Sequence, residues 1–325
     1  MHRSGRTLVE LLVVLVVLAI LLAVFLPWLQ ARRELARAAE CRQRLHRIGL
    51  ALSYYESTYQ CFPPAVVGPV YWDTAYHNWV ALLLPAMSRN DVVAQIDSFR
   101  KSWGEKRYRA YQRELGQVIL PEFRCPGETA SPRIKSGPAY INYAGNAGSG
   151  FQSYGFNGLF RPCGEPLALE RRGIVQRVDV VDGLSNTAAI SEALQGIREL
   201  DRLRTIWQTP HAYTQPIQLD DFADLCASVP VQAQRYGWDG LYLSRGIPWF
   251  GSNVSETLYN HVLGPNQPSC TQGANVQEGA YSATSLHGGG CHVLMADERV
   301  EFVSDLIDRT VWREMGSRVD HDLLW

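Results

Sequence analysis

The chain has 325 residues, with 31 Lys and Arg against 32 Asp and Glu and a formal net charge of −1. That balance gives no support for a nucleic-acid binder, which normally shows a basic face or stripe. A content of 46% hydrophobic and 19% charged residues excludes a mostly disordered chain. Seven widely spaced cysteines contain no C-x-x-C pair, which argues against a zinc ribbon or finger and predicts no structural metal.

From Leu8 to Leu29 the sole charged residue is Glu10. The run is about 22 residues or roughly 33 Å of helix, enough to cross a bilayer. A carboxylate at the bilayer centre costs roughly 2.5–3.5 kcal/mol, so Glu10 requires a reason. A cleavable secretory signal has a shorter apolar core and a small-x-small site. Here the run continues to Phe25-Leu26-Pro27, with no such site before Arg32. A plain signal anchor explains the length but not the acid. Past the span, Leu35, Ala38, Cys41, Leu45, Ile48, Leu52, Tyr55 and Tyr59 recur at steps of three or four, an amphipathic stripe. Arg32, Arg42, Arg44 and Arg47 fall mostly outside it. The pattern predicts one helix from Thr7 to about Thr58, packed by its second half on a sheet and ended by Phe62-Pro63-Pro64.

Beyond Cys61, short β-branched or aromatic runs alternate with Gly, Pro and Asn. Trp79 to Leu84 reads as a buried segment and Arg89 to Ser98 as a short helix. Tyr140 to Tyr143, Gly173 to Val181 and Thr187 to Ser191 read as strands, the last entered through the turn Asp182-Gly183-Leu184-Ser185-Asn186. Residues 196–279 lack a clear period and predict long loops or an inserted subdomain. Their aromatics (Trp207, Tyr213, Tyr236, Trp238, Tyr242 and Trp249) are expected in the core rather than on a binding surface. Asp220-Asp221-Phe222-Ala223-Asp224 lacks the glycine and distal glutamate of a calcium loop and reads as solvated loop charge. Cysteines behind a membrane segment fit an oxidising compartment, so disulfides are expected ahead of buried thiols, with at least one cysteine left over.

Cys291 to Ala296 and Val300 to Val303 read as a β-hairpin turning at Asp297-Glu298-Arg299. Cys291, Val293 and Met295 should face one side, and His292, Leu294 and Ala296 the other. His287-Gly288-Gly289-Gly290 could pass for a hydrolase oxyanion loop, but no G-x-S-x-G nucleophile elbow exists in the chain. A metal trio of His287, His292 and Asp297 conflicts with strand alternation. The preferred role of His287 is a structural hydrogen bond pinning the glycine-rich entry to the hairpin. No nucleophile–base or metal constellation points to an enzyme.

Two resemblances organise these observations. Gly5-Arg6-Thr7-Leu8-Val9-Glu10 and the apolar run resemble the prepilin-type cleavage and methylation signal of type IV pilins and type II secretion pseudopilins. The resemblance implies a cut by prepilin peptidase between Gly5 and Arg6 and methylation of the new terminus. Glu10 would then pair with a neighbouring subunit's Arg6 amine, and Pro27 would occupy the position of the pilin helix bend. Arg6 stands where the family usually has phenylalanine. Arg3 and Arg6 precede the span while Arg32, Arg33 and Arg37 follow it, so a positive-inside count opposes the orientation that the resemblance implies. The C-terminal part resembles a pilin-like family of unassigned function, sometimes catalogued as solute-binding family ten, whose members end in H-x9-D-G. His287 and Asp297 have that spacing, with Glu298 in place of the glycine. Ile48-Gly49-Leu50-Ala51-Leu52, Phe62-Pro63-Pro64, Phe123-Arg124-Cys125-Pro126, Asn142-Tyr143-Ala144-Gly145-Asn146 and Asp182-Gly183-Leu184-Ser185-Asn186-Thr187 carry the same resemblance.

The expectation is an α+β, pilin-like fold with a long N-terminal helix packed on an antiparallel β-sheet with long loops. Residues 1–5 would be a leader, 6–30 the transmembrane and assembly half, 31–60 the amphipathic half, and 61–325 an exported β-rich domain with a variable insertion at 196–279. The implied protein is a non-enzymatic, cofactor-free pseudopilin-like subunit in the inner membrane, with a cytoplasmic N-terminus and a periplasmic or extracellular C-terminal domain. Its partners would be prepilin peptidase, like or related pilin subunits and membrane lipid, with no nucleic acid. The rival is a membrane-tethered extracytoplasmic binding protein for a carbohydrate or another ligand.

Overall fold

The computed structural model describes residues 8–67, 77–100, 114–133, 137–151, 156–163, 174–197, 199–209, 219–229, 239–241, 245–251, 253–273 and 275–319. Helix α1 (Leu8–Tyr59) is unbroken through Pro27 and about 78 Å long at 1.5 Å per residue. It stops where Gln60 adopts φ 58°, a left-handed residue that turns the chain before Phe62-Pro63-Pro64.

The elements that follow are β1 (Val66–Val67), β2 (His77–Asn78), α2 (Trp79–Leu83), α3 (Asn90–Arg100), β3 (Tyr143–Asn146), β4 (Pro162–Cys163), β5 (Ala188–Glu192) and β6 (Ile206–Gln208). Then come α4 (Leu219–Ala227), β7 (Asp239–Leu241), α5 (Val254–Thr257), β8 (Leu258–Tyr259), β9 (Cys270–Gln272), β10 (Asn275–Ala280), β11 (Gly290–Met295), β12 (Val300–Ser304) and α6 (Arg309–Gly316). The principal sheet has the order β12-β11-β5-β3-β8, antiparallel except for the β3–β8 pair. A second sheet has the order β10-β9-β6-β7 and a small one β2-β1-β4. The architecture is α+β and pilin-like, with a long helix laid on a largely antiparallel sheet.

The main core lies between the second half of α1 and the principal sheet. Leu45, Ile48 and Leu52 share one apolar cluster with Ile190, Leu294 and Ala296, and within it Trp79 stands edge-on to Phe123 and beside Phe160. Gly49 permits the approach, because a Cβ there would lie 2.7 Å from Leu294 Cδ1. The hairpin alternates as its pattern predicts: Cys291, Val293 and Met295 pack with Trp312, while Leu294 and Ala296 face the helix. Leu35 and Tyr59 depart from the predicted stripe and are exposed, since the sheet does not reach either end of the amphipathic half.

Other expectations are corrected. Tyr140 to Asn142 make irregular backbone bonds to Pro132, Gly246 and Phe123, so the predicted strand begins at Tyr143. Gly173 lies outside the described residues. The remainder of the predicted strand ending at Val181 is a single 3₁₀ turn, Arg177–Asp179, closed by a capping box between Gln176 and Asp179. Val178 and Val181 project into solvent, and among the described residues no strand pairs with them, so their β-propensity is not used. The acidic run at 220–224 is helical rather than loop, and Asp220 and Asp224, one turn apart, pair with Arg309. Within residues 196–279, α4 and the second sheet enclose their own apolar cluster around Phe222, Trp207 and Cys270. Trp207 and Trp249 are fully buried, whereas Tyr213, Tyr236, Trp238 and Tyr242 lie outside the described residues. Of the seven cysteines, Cys41 and Cys125 form a disulfide and the other five are free thiols, so the expectation of disulfides ahead of thiols holds for one pair and is corrected for the rest.

Candidate functional site

Gly5 and Arg6 lie outside the described residues. Glu10 stands exposed in the first turn of α1, and Pro27 is inside the helix. Between Leu11 and Leu29, sixteen large apolar side chains are 41–66% exposed. Burial of each is worth roughly 1.5–3 kcal/mol, so this surface demands lipid or other apolar helices around it. The helix is long and apolar enough to cross a membrane. At its lower end the Arg32 guanidinium lies 5.4 Å from the Trp28 ring, a cation–π contact at the edge of the apolar run.

The second concentration of chemistry lies where α1 enters the folded domain. Cys41 on α1 is bonded to Cys125, which follows the 3₁₀ turn Pro121–Phe123. Arg44, one turn further on, donates from Nη1 to the carbonyls of Pro121 and Arg124 at 2.7 Å each. The Tyr143 hydroxyl donates to the Cys41 carbonyl at 3.2 Å. The disulfide joins residues 84 apart in sequence, and the chain-entropy relation gives such a bridge about 4.6 kcal/mol.

Around this bridge stand Glu192, at the end of β5, and two histidines. His287 Nε2 is 3.3 Å from Glu192 Oε1 and 3.5 Å from Cys125 Sγ, while His287 Nδ1 is 2.9 Å from Glu34 Oε1 on α1. The His292 backbone N–H donates to Glu192 Oε2 at 2.8 Å, and its Nδ1 lies 3.3 Å from the same oxygen. Burial alone would raise the Glu192 carboxyl, but the hydrogen bonds of His287 and His292 hold it at about 2. The Glu192 hydrogen bond raises His287 above its ordinary value against the opposing effect of burial, and Glu34 adds to the rise. His287 therefore bonds to the anchoring helix and the sheet, not merely to its own hairpin.

His287 and His292 come together, with ring centroids 5.5 Å apart. The alternation argument against pairing them fails because His287 precedes the strand and its loop folds back over the His292 face. Asp297 is remote: β11 separates it from His287 by about 20 Å at 3.3–3.4 Å per residue. The Asp297 carboxylate accepts instead from Arg299 Nε at 2.8 Å, and Arg299 Nη2 donates to the Ser185 carbonyl at 2.7 Å. This links the hairpin tip to the turn containing Asp182 and Gly183. Gly183 has φ 90° there, and its carbonyl accepts from the backbone N–H groups of Asn186 and Thr187. Glu298, after Asp297 in the hairpin turn, takes φ 74°; its carbonyl faces His46 Nδ1 at 3.2 Å.

Sequence reasoning missed Glu34, Glu192 and the pairing of Cys41 with Cys125. It also missed Arg204, whose guanidinium makes a buried, two-pronged pair with Glu128 at 2.8 Å per contact. The available signal for Glu192 was an acid closing the otherwise apolar segment Ala188-Ala189-Ile190-Ser191. Such a residue is buried at a cost unless it is partnered.

Comparison with known proteins gives two family matches. Residues 1–26 match the prokaryotic N-terminal methylation motif. No curated protein and no solved structure matches the chain. Residues 30–310 match the family described as "Protein of unknown function (DUF1559)", and the chain belongs to that family.

Proposed function

We propose that this protein is a non-enzymatic, pseudopilin-like subunit of a type IV pilus or type II secretion-like filament. Prepilin peptidase cleaves it between Gly5 and Arg6, and residues 6–30 hold it in the inner membrane with the C-terminal domain on the far side. The N-terminal methylation motif supports processing and anchorage. The observation that carries the assembly reading is the bare half of α1, a continuous apolar cylinder with an acid in its first turn. Such a surface is satisfied equally by acyl chains and by the same surface of other subunits. Passage from bilayer to filament therefore conserves apolar burial, while the Arg6 amine of a neighbour neutralises Glu10 and sets the axial register.

The test is Glu10→Ala in cells. Incorporation into sheared filament or pseudopilus fractions should fall at least tenfold, while the membrane-extracted variant keeps the wild-type melting curve. N-terminal sequencing of the same material should start at Arg6. Normal assembly by Glu10→Ala, or a chain that retains residues 1–5, sinks this reading and leaves the tethered binding protein in its place.

A further inference from the structure

We propose that opening the Cys41–Cys125 disulfide converts the cluster around it into a site for one thiophilic divalent cation of the zinc class, with Cys41, Cys125, His287 and Glu192 as ligands. One donor atom from each of the four residues lies within 4.8 Å of all the others. Bonds of 2.0–2.3 Å to a tetrahedral ion imply donor–donor edges of about 3.3–3.8 Å. Three edges are already close to that range: His287 Nε2 to Glu192 Oε1 at 3.3 Å, His287 Nε2 to Cys125 Sγ at 3.5 Å, and Cys125 Sγ to Glu192 Oε1 at 3.9 Å. The principal adjustment is separation of the two sulfurs.

The surroundings match what a metal ligand set requires. Glu34 holds His287 Nδ1 at 2.9 Å, which aims Nε2 at the centre, the carboxylate–histidine arrangement that orients imidazole ligands. The His292 backbone N–H occupies Glu192 Oε2 and leaves Oε1 facing inward. The Gly127 N–H points at Cys125 Sγ from 3.3 Å, a donor suited to a thiolate. Gly127 also makes room, because a Cβ there would come within 2.8 Å of the His287 ring. Cys41, Glu192 and His287 are buried, and the partly exposed Glu34 marks the way in from the helix side.

The bonded and metal-holding states exclude each other, since sulfurs joined to one another offer no thiolates. A dithiol reductant supplies the two electrons. The S–S bond breaks, the reductant's thiols join as its own disulfide, and its two protons pass to Cys41 and Cys125. The cation then forms two Sγ bonds and one bond each to His287 Nε2 and Glu192 Oε1. Both thiol protons and any imidazolium proton on Nε2 leave to solvent.

The full chain in detergent, reduced with dithiothreitol and desalted anaerobically, is to be titrated with Co²⁺. One equivalent should develop sulfur-to-cobalt charge-transfer absorption with the visible bands of a tetrahedral ion, and Zn²⁺ should displace it. The oxidised protein should show neither. His287→Gln and Glu34→Gln should each weaken Co²⁺ binding at least tenfold, and Cys61→Ser/Cys163→Ser should leave it unchanged. Absence of sulfur charge transfer in the reduced protein overturns the proposal. So does its persistence in Cys41→Ser/Cys125→Ser, or unchanged affinity in His287→Gln. If the double serine variant does not fold, Glu34→Gln, altered on the helix surface, decides the matter: undiminished affinity there overturns the proposal.

Discussion

The two halves of α1 share one helix and differ in everything around it. Leu18 is half exposed and Leu45 fully buried, although each is a leucine in an uninterrupted stretch of the same secondary structure. The first half, apolar but for Glu10, leaves its large side chains from Leu11 to Leu29 exposed. The second half carries one apolar stripe, which the sheet covers, and is fastened by the Cys41 bridge, Arg44 and Tyr143. Helical order therefore continues where the side chains are exposed, and a helix satisfies its backbone groups internally, as any segment that crosses lipid must. Of the two halves, the covered one is the half that contributes to the core of the folded domain.

The largest expected effect comes from making the same substitution in both halves. Leu45→Ala should lower unfolding free energy by about 2–5 kcal/mol, whereas Leu18→Ala should change it by less than about 0.5 kcal/mol. Urea titration of detergent-solubilised protein, followed by tryptophan fluorescence, measures both. Equal losses would erase the distinction between the halves.

A smaller effect should appear in the pH dependence of the junction. Glu192 has a folded pKa of about 2, below its ordinary value of 4.5. Its contribution is therefore present above pH 4.5 and lost as pH falls toward 2. His287 is raised above 6.5, so its contribution is complete below 6.5 and fades as pH climbs through the folded value. Glu256, deep in the capping box of α5, is pushed by burial up to about 7 against the pull of Asn253. It favours the folded state in its protonated form, which removes stability as pH rises from 4.5 to 7. Stability should thus peak on the acid side of neutrality. Glu192→Gln should flatten the limb below pH 4.5, and Glu256→Gln the decline between 4.5 and 7, in urea melts taken at half-unit intervals. A Glu192→Gln protein with an unaltered acid limb would remove Glu192 from the account.

The smallest effect belongs to the hairpin tip that leans on the covered half. Glu298 holds a left-handed conformation that glycine adopts without penalty. Glu298→Gly should raise stability by about 0.5–1 kcal/mol, a rise of roughly 1–4 °C in thermal melts. A lower melting temperature would mean that the Glu298 side chain contributes more than its backbone conformation costs.

Much of the architecture is legible in local pattern. The continuous helix, its boundary near Phe62, the alternating faces of the hairpin and the turn at Gly183 each follow from periodicity, proline and glycine, signals that act over a few residues. The strand expected to end at Val181 misleads for a complementary reason: β-branched residues specify a strand only when another strand lies beside them. His287 was legible as a notable residue, but its partners were not. Glu34, Cys125 and Glu192 come from a helix, a loop and a strand far apart in the chain, and nothing in the spacing of any one announces the others.

By itself the amino-acid order determined the anchor, because a run of apolar residues with one early acid has few physical uses, and it determined the helix and hairpin through 3.6- and two-residue periods. Only the tertiary structure decided which cysteines join, which histidines meet and which carboxylate stands between them. Local periods govern the faces of single elements. Long-range packing of α1 on β5 and β11 sets the distances between them, and distance is what makes a bridge, an ion pair or a ligand set.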